Sequence, residues 1–554
     1  MSWLWNSCVA IVLGATTLEA QQPGSFSETV RILLAGADNG SVRSVEREAV
    51  RRLYPPASIR PIWSGGGGGP TRQAVAALDL LANSEQRGLP SASENVRRLR
   101  AMADLVGRSE ADAARFDVAL STSVVRLLAD LHLGRVDPAA AGADLPDAHD
   151  ELDLASFAMA VAQATDVSAA VERAEPSYAG YRALIRALLQ YRALATDTSL
   201  RPPARVTRSV RPGDAYSEAL LLARYLVALG DADSTAARAV LSSGDTTARY
   251  EGPLVAAVVR FQRRHGLEPD SIIGPATMAE LRAPLARRVR QIELALERWR
   301  WLPDEPPERY LVVNGPAFRL YVFEHDSTAA AAALSMNVIV GQAEGRHDTP
   351  VFAATMREVV FRPYWDVPPR IARTELIPIF RRRPAYFDHE GFEIVRPGAG
   401  DVPTTTFAPT SENLSRVANG TLRLRQRPGP ANALGAVKFV FPNRYNVYLH
   451  GTPAQELFAQ TRRDFSHGCI RIERPADLAV LVLRDQPPWT EAAIDSAMTG
   501  DRTVHVPIAR PLSVFVLYTT VAVDDTGQVH FYPDIYRRDS ALERALGLTP
   551  IAGR

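Results

Sequence analysis

The chain has 554 residues, too long for one ordinary core, so roughly three or four domains are expected. Hydrophobic residues at 46% and charged residues at 23% are those of a globular protein with sizeable cores, not of a disordered or collagen-like chain. A formal net charge of +1 gives no argument for nucleic acid or an anionic membrane as partner.

Residues 1–20 read as a signal peptide. Cys8 to Ala15 form a short apolar run, and Thr16 to Ala20 offer small residues for cleavage before Gln21. The charged n-region is missing, and an uncleaved anchor is the alternative. The run is short against the ~20 residues of a membrane span. No lipobox precedes Cys8. With the leader removed, no integral span is expected and Cys469 is the one thiol left, so no intramolecular disulfide can form. An unpaired cysteine in an oxidising compartment is a hazard unless it is used.

Residues 25–205 read as mainly helical, with Ala and Leu at helical spacing in Ala74–Ala82 and Val124–Leu131. Gly65 to Gly69, followed by Pro70, reads as a flexible loop; no Gly-Lys-Ser/Thr follows, which argues against a phosphate-cradling loop. Asp130, His132 and Asp137 suggest a metal site less well than solvated residues around a helix end, and no metal or cofactor is expected.

Pro202-Pro203 marks a boundary, and residues 206–284 form the next unit. A helix over Ser217 to Leu229 is followed by one with Leu254, Val258 and Phe261 on one stripe. It ends at His265-Gly266, where Gly can adopt the left-handed cap. Asp270 to Pro275 is a turn, and Thr277 is expected to cap a third helix to Leu281. His265 reads as structural rather than as a metal ligand. Residues 285–307 are a connector helix and its end, with a basic face expected to be solvated.

From residue 308 the texture is that of short strands: Tyr310–Val313, Phe318–Phe323, Asn337–Val340 and Thr355–Phe361. A mostly β domain over residues 308–505 is expected. Within it, residues 371–428 are helical and loop-like, as an insert would be. Residues 506–554 are C-terminal strands and tail, with Leu512–Tyr518 and Gln528–Tyr532 joined by an Asp524-Asp525-Thr526-Gly527 hairpin turn. Asp524 and Asp525 are read as a turn, not a calcium site, and the tail is expected to pack on the mostly β domain.

The chemistry concentrates in two runs, Tyr448-Leu449-His450-Gly451-Thr452 and Ser466-His467-Gly468-Cys469-Ile470-Arg471. A cysteine nucleophile needs a base within reach and donors aimed at a developing oxyanion. The thiolate attacks, and a free thiol is only slightly ionised near neutrality. His450 and His467 are both candidate bases, and spacing does not choose between them. Gly468 leaves the backbone beside the thiol open and frees nearby N–H groups for an oxyanion.

These two runs resemble the signature of the L,D-transpeptidases, cysteine enzymes that cross-link peptidoglycan. The resemblance implies Cys469 as nucleophile, His450 as general base and acid, and the Gly451 carbonyl as its orienting partner. It places His467 beside the nucleophile, helping to shape the oxyanion site. The pieces Ile62-Trp63-Ser64 and Asp130-Leu-His-Leu-Gly-Arg135 resemble the helical scaffold of the large Gram-negative members. The order Val258, Phe261-Gln262, His265-Gly266-Leu267, Asp270, Ile273-Gly274, Thr277, Leu281 resembles the three-helix peptidoglycan-binding module. Ser271 stands where that module usually has Gly. Residues 371–428 look like the capping subdomain, a lid.

The implied architecture is therefore multidomain α+β: a helical scaffold, a three-helix module, and a mostly β catalytic domain with an inserted lid. The implied function is formation of 3→3 cross-links through a Cys469 thioester, in the periplasm or cell envelope. The partners are a tetrapeptide donor stem and a diamino-acid acceptor, with no nucleic acid. Hydrolysis of the same bond by an L,D-carboxypeptidase or amidase, and a non-catalytic wall-binding scaffold, are the alternatives. Tyr448, Tyr364 and Trp365 are candidates to line the substrate cleft, with core packing an equal reading for the last two. Arg471 either steers a stem-peptide carboxylate or braces the loop.

Overall fold

A computed structural model describes residues 24–36, 43–65, 68–146, 153–233, 249–324, 332–343, 347–398, 405–549 and 551. The leader assigned to residues 1–20 lies outside these, as do residues 399–404 of the insert expected over residues 371–428.

The first unit is a bundle of helices α1 (Phe26–Ala35), α2 (Ser44–Leu53), α3 (Arg72–Ala82), α4 (Ser93–Ala103), α5 (Glu110–His132), α6 (Leu154–Gln163) and α7 (Val167–Glu172), while α8 (Ala179–Thr196) follows and buries its apolar face in the core of the next unit. Ser25, Thr71 and Ser109 start α1, α3 and α5 by accepting a backbone N–H three residues on. The 23-residue α5 runs through the middle, burying Phe116, Leu120, Val124, Leu128 and Leu131. Its buried Asp117 accepts the N–H groups of Ile62, Trp63 and Ser64 at 2.8–2.9 Å and the hydroxyl of Tyr54 at 2.8 Å. The Ile62-Trp63-Ser64 piece is thus tied into the core by one carboxylate, which satisfies backbone donors that no ladder serves.

Of the glycine run expected to be a flexible loop, Gly66 and Gly67 lie outside the described residues, and the ends of the run are joined. Gly65 N–H donates to the Gly69 carbonyl at 2.8 Å, and a bridge joins Ser64 to Pro70. Asp130, His132 and Asp137 are drawn apart by separate partners. Asp130 pairs with Arg43, His132 faces Asp304 at 3.3 Å, and Asp137 caps the turn Pro138–Ala141.

Helices α9 (Ala219–Ala228), α10 (Pro253–Arg264) and α11 (Pro275–Leu281) form the next unit. Ser271 has φ +62°, a conformation that costs little for Gly, which explains the residue usual at that place. Thr277 does not cap α11, because it lies inside the helix. Its hydroxyl donates to the Ile272 carbonyl and accepts from Gln262, so it ties the turn to α10 instead. His265 is buried with Nδ1 2.8 Å from the Phe261 carbonyl and its ring stacked on Phe261. Burial and the Arg264 charge push its pKa well below the ordinary value.

The connector α12 (Leu285–Trp299) is not the solvated basic helix expected. Arg288 and Arg300 are buried, and Arg298 pairs with Asp539. Arg288 pairs with Glu280 and Arg300 with Glu297. The reason is position: α12 is wedged between α8 and the chain's C-terminal helix, Arg538–Ala545, so its cations meet carboxylates before water. Glu297 also accepts the N–H groups of Arg135 and Val136, where the chain turns at Gly134 (φ +76°).

The catalytic domain is a mixed sheet. Its strands are β2 (Arg309–Asn314), β3 (Arg319–Glu324), β4 (Leu334–Gly341), β5 (Val351–Phe361), β9 (Val437–Val440), β10 (Leu449–His450), β11 (Asp464–Ser466), β12 (Ile470–Ile472) and β13 (Val504–Leu517). The order is β5-β13-β2-β3-β4-β12-β10-β9, and β9 pairs β5 again, so the sheet closes on itself. β11 adds to β4, and the scaffold contributes β1 (Ala143–Asp144) beside β5. Strand β13 runs straight across the 505/506 boundary expected from the sequence.

The hairpin also differs from expectation. Asp524–Gly527 joins β14 (Val521–Val523) to β15 (Val529–Phe531), a separate two-stranded sheet. Val521, Val529 and Phe531 share a core with α8, α10 and α12, and Arg264 of α10 donates to the Val529 carbonyl. The tail therefore packs on the three-helix unit as well as on the catalytic domain.

The insert has its own three-stranded sheet, β6 (Trp365–Asp366), β8 (Arg423–Gln426) and β7 (Phe392–Val395), with β8 in the middle. It begins at Trp365, ahead of the expected residue 371, because β6 is one of its edge strands. Short helices Pro369–Ile371 and Ile377–Arg382 flank a π-helical turn, Ala372–Leu376. Phe380, Phe387, Phe392, Leu414 and Leu424 form its core. Among the described residues no helix is long and apolar enough to cross a membrane.

Replacing Asp117 by Ala strands three N–H groups at once, and is expected to destabilise the helical unit by roughly 3–5 kcal/mol. Chemical denaturation followed by tryptophan fluorescence of Trp63 measures this; a loss under about 1 kcal/mol would contradict the role given to Asp117.

Candidate active site

Three short strands build the site. β9 runs antiparallel to β10, with Phe439 opposite Leu449 and Lys438 opposite His450. β10 runs parallel to β12, with Leu449 opposite Ile470 and His450 opposite Arg471. Phe439, Leu449 and Ile470 are fully buried and face the core. Alternation then puts Lys438, His450 and Arg471 in one row on the other face. Tyr448 and Cys469 form the next row of that face, joined by the Ile470 N–H to Tyr448 carbonyl bond of 3.1 Å. His450 and Cys469 are diagonal neighbours, with α-carbons about 8 Å apart by sheet spacing, a gap that an imidazole and a thiol can span.

His450 is buried. Its Nδ1 lies 2.6 Å from the Gly451 carbonyl. A carbonyl only accepts, so Nδ1 carries the hydrogen and Nε2 is the basic nitrogen. Burial depresses the imidazole pKa to about 3, helped by the charges of Arg471 and Lys438 and opposed by the Gly451 and Leu434 carbonyls.

Cys469 is a half-buried free thiol. Burial raises its pKa. Hydrogen bonds from Tyr448 and the charges of Lys438 and Arg471 pull it back down. The thiol also sits 3.8 Å from the Asn446 carbonyl. Asn446 has φ +52°, and its turn is held by Asn443, whose amide donates to the Phe441 and Val447 carbonyls at 2.7 Å each. Tyr448, whose phenol is hydrogen-bonded to Cys469 and to Trp365, has its own pKa pushed well up by burial.

His467 stands apart from His450. It is exposed, its Nε2 lies 2.9 Å from Glu375 on the lid's π turn, and its ring is 4.8 Å from His347. Gly468 has φ +114°, a conformation that excludes side chains. Its carbonyl accepts from Thr349 at 2.9 Å, and its N–H donates to Ser466 Oγ at 3.1 Å. This differs from expectation: the Gly468 amide is occupied and is not open to an oxyanion in this arrangement. Trp365 joins the site through Tyr448, whereas Tyr364 lies under the buried Arg425 guanidinium at 4.0 Å, a packing role. Arg471 sits in the row with His450, not out on the loop.

Sequence reasoning missed Lys438, Asn443 and Asn446. For Lys438 a signal was present: of the 63 lysines and arginines it is the one lysine. A separate cavity of about 1140 Å³, bounded by Tyr178, Trp299, Tyr310 and Tyr321, includes neither Cys469 nor His450.

Comparison with known proteins agrees with this geometry. Residues 308–504 match the model of the L,D-transpeptidase catalytic domain, residues 48–188 that of a scaffold domain, and residues 217–281 that of a "Putative peptidoglycan binding domain". A curated protein of Haemophilus influenzae named "Putative L,D-transpeptidase" is 29% identical over 257 residues, covering 46% of this chain and 49% of that protein. The chain thus matches about half the length of that relative. All three domain matches and both motif runs point the same way: the chain is similar to the L,D-transpeptidases, with residues 308–504 as the part that matches their catalytic domain.

Proposed function

We propose that the protein is a peptidoglycan L,D-transpeptidase that works through a Cys469 thioester and forms 3→3 cross-links. The observation that carries this reading is the register that sets His450 opposite Arg471, hence diagonal to Cys469 on one sheet face, with Nδ1 held by the Gly451 carbonyl and Nε2 left as the basic nitrogen. The alternative of a dead, wall-binding scaffold leaves that arrangement without a use.

At rest the pair is a neutral thiol and a neutral imidazole, since burial disfavours both charged forms. The proton moves from Sγ to Nε2 as the sulfur attacks the carbonyl of the third stem residue. The C–S bond forms and the carbonyl oxygen becomes an oxyanion. With the Gly468 amide held by Ser466, the Cys469 amide is the donor that this reading assigns to it. The C–N bond then breaks, and the terminal D-Ala amine leaves with the proton from His450. An acceptor side-chain amine, deprotonated by His450, attacks the thioester, and the thiol is restored when the C–S bond breaks. Water in place of that amine gives the hydrolytic outcome.

The peptidoglycan-binding domain fits a substrate in the wall, and placement in the periplasm or cell envelope follows from that reading. The lid lies over the same face, through Trp365 on Tyr448 and Glu375 on His467.

Cys469→Ser is expected to abolish turnover, because a hydroxyl is far less ionised than a thiol. Muropeptide mass spectrometry on a tetrapeptide-rich sacculus checks it. Dimers with the wild type and none with the variant support transfer, whereas tripeptides alone would point to hydrolysis. Normal dimers with the variant would end the thioester reading.

The depressed pKa of His450 also predicts acid sensitivity. Its folded value lies below the unfolded value of about 6.5, so the unfolded chain binds more protons between the two. Stability is complete above about pH 6.5 and falls toward pH 3, and the buried His265 acts in the same direction. Melting curves between pH 7.5 and pH 4 are expected to show a smaller acid loss for His450→Gln than for the wild type. Equal losses would mean that His450 is not held neutral.

A further inference from the structure

Sixty-two of the 63 basic side chains are arginine, including every one used in a buried ion pair, such as Arg264 with Asp231 and Arg300 with Glu297. The single amine is Lys438, directly opposite His450 in the strand pair that carries the site. The two cations are not interchangeable. A guanidinium is broad, planar and permanently charged, whereas an ammonium is a compact point charge whose pKa follows its surroundings.

Lys438 is half-buried, with Nζ 4.0 Å from the centroid of the Tyr448 ring. The Tyr448 ring is 5.6 Å from the His450 ring, and its phenol bonds to the thiol. The ammonium thus stands on the ring that touches the sulfur. Burial pulls the Lys438 pKa down, and the charges of Cys469, Asp366 and Glu358 push it up. Across the row, Arg471 faces His450 from β12.

We propose that Lys438 is a positioning residue for the reaction: its ammonium, seated on Tyr448, stabilises the Cys469 thiolate and, with Arg471 on the other side, keeps His450 uncharged. This rests on the reading of Cys469 as the nucleophile. It assigns the stabilising charge to a lysine, not to an imidazolium. The other groups facing the centre are accounted for. Tyr448 and His450 come from β10, and Arg471 from the thiol's own strand. The Asn446 carbonyl comes from the preceding turn, Trp365 and Asp366 from the lid, and Glu358 from β5. His467 is held toward Glu375 and His347.

The test needs no peptidoglycan, so its failure is distinct from failure of the proposed reaction. In Lys438→Met, the pH profile of Cys469 alkylation by iodoacetamide should move to higher pH, slowing the reaction near neutrality by about tenfold. The His450 ring, followed by NMR of labelled histidine, should also titrate at higher pH, because one cation opposes protonation of both groups. Simple loosening would admit water and move the two apart, the thiol down and the imidazole up. That result, or an unmoved thiol profile, overturns the proposal.

A second measurement avoids any folding defect. Because the chain has one lysine, protein labelled at lysine Cε gives one side-chain signal. Its titration midpoint in the wild type should fall when Cys469 is capped by iodoacetamide, since linkage is reciprocal. An unchanged midpoint would also overturn the assignment.

Discussion

Strand β10 contributes two residues to its ladder, yet its pairing on both sides fixes the whole candidate site. Lys438, His450 and Arg471 share a row because three strands agree in register, and Tyr448 with Cys469 make the adjoining row. A slip of one residue in either pairing would turn His450 into the core and expose Leu449. The core forbids that slip. Phe439, Leu449 and Ile470 are completely buried on the opposite face, and β9 is pinned a second time by its antiparallel pairing with β5. Closure of the sheet therefore sets the arrangement of this face as well as contributing to stability.

The electrostatics of the centre follow from where that face lies. A thiol and an imidazole in low dielectric both favour their neutral forms, so burial alone would leave the sulfur unreactive. The counterweight is polar and cationic: the Tyr448 phenol, Lys438 and Arg471. The same cations keep the imidazole free of a proton at rest, and a neutral His450 is what a base requires. Trp365 of the insert hydrogen-bonds the phenol that touches the sulfur.

The remaining domains are joined to this barrel by specific ties. The scaffold adds β1 to the edge at β5 and hands two N–H groups to Glu297 of α12. The C-terminal hairpin shares its core with the three-helix unit, and Arg264 bonds its backbone. Arginines of α12 that would be a solvated face in isolation become interior links: Arg288 meets Glu280 and Arg298 meets Asp539, both from other elements. These ties bring the three units together as parts of one packed molecule.

Short-range pattern was enough to read much of this. Helical periodicity located α5 and α10, the alternation of Tyr310–Val313 and Phe318–Phe323 located β2 and β3, and the two motif runs located the thiol and both histidines. Those features depend on neighbours a few residues away. The separate placing of His450 and His467 did not, because it turns on a parallel pairing of β10 with β12 and on Glu375, 92 residues from His467. The same holds for the occupied Gly468 amide, the buried arginines of α12, and the hairpin's partner. Lys438 is the instructive case: its rarity was legible in the composition, but its place beside His450 exists only once β9 folds back against β10. Local pattern was enough to name the candidates for the chemistry and the elements that hold them. The tertiary structure decided which of them share a face, since register and burial are properties of strands that meet only after the chain has closed.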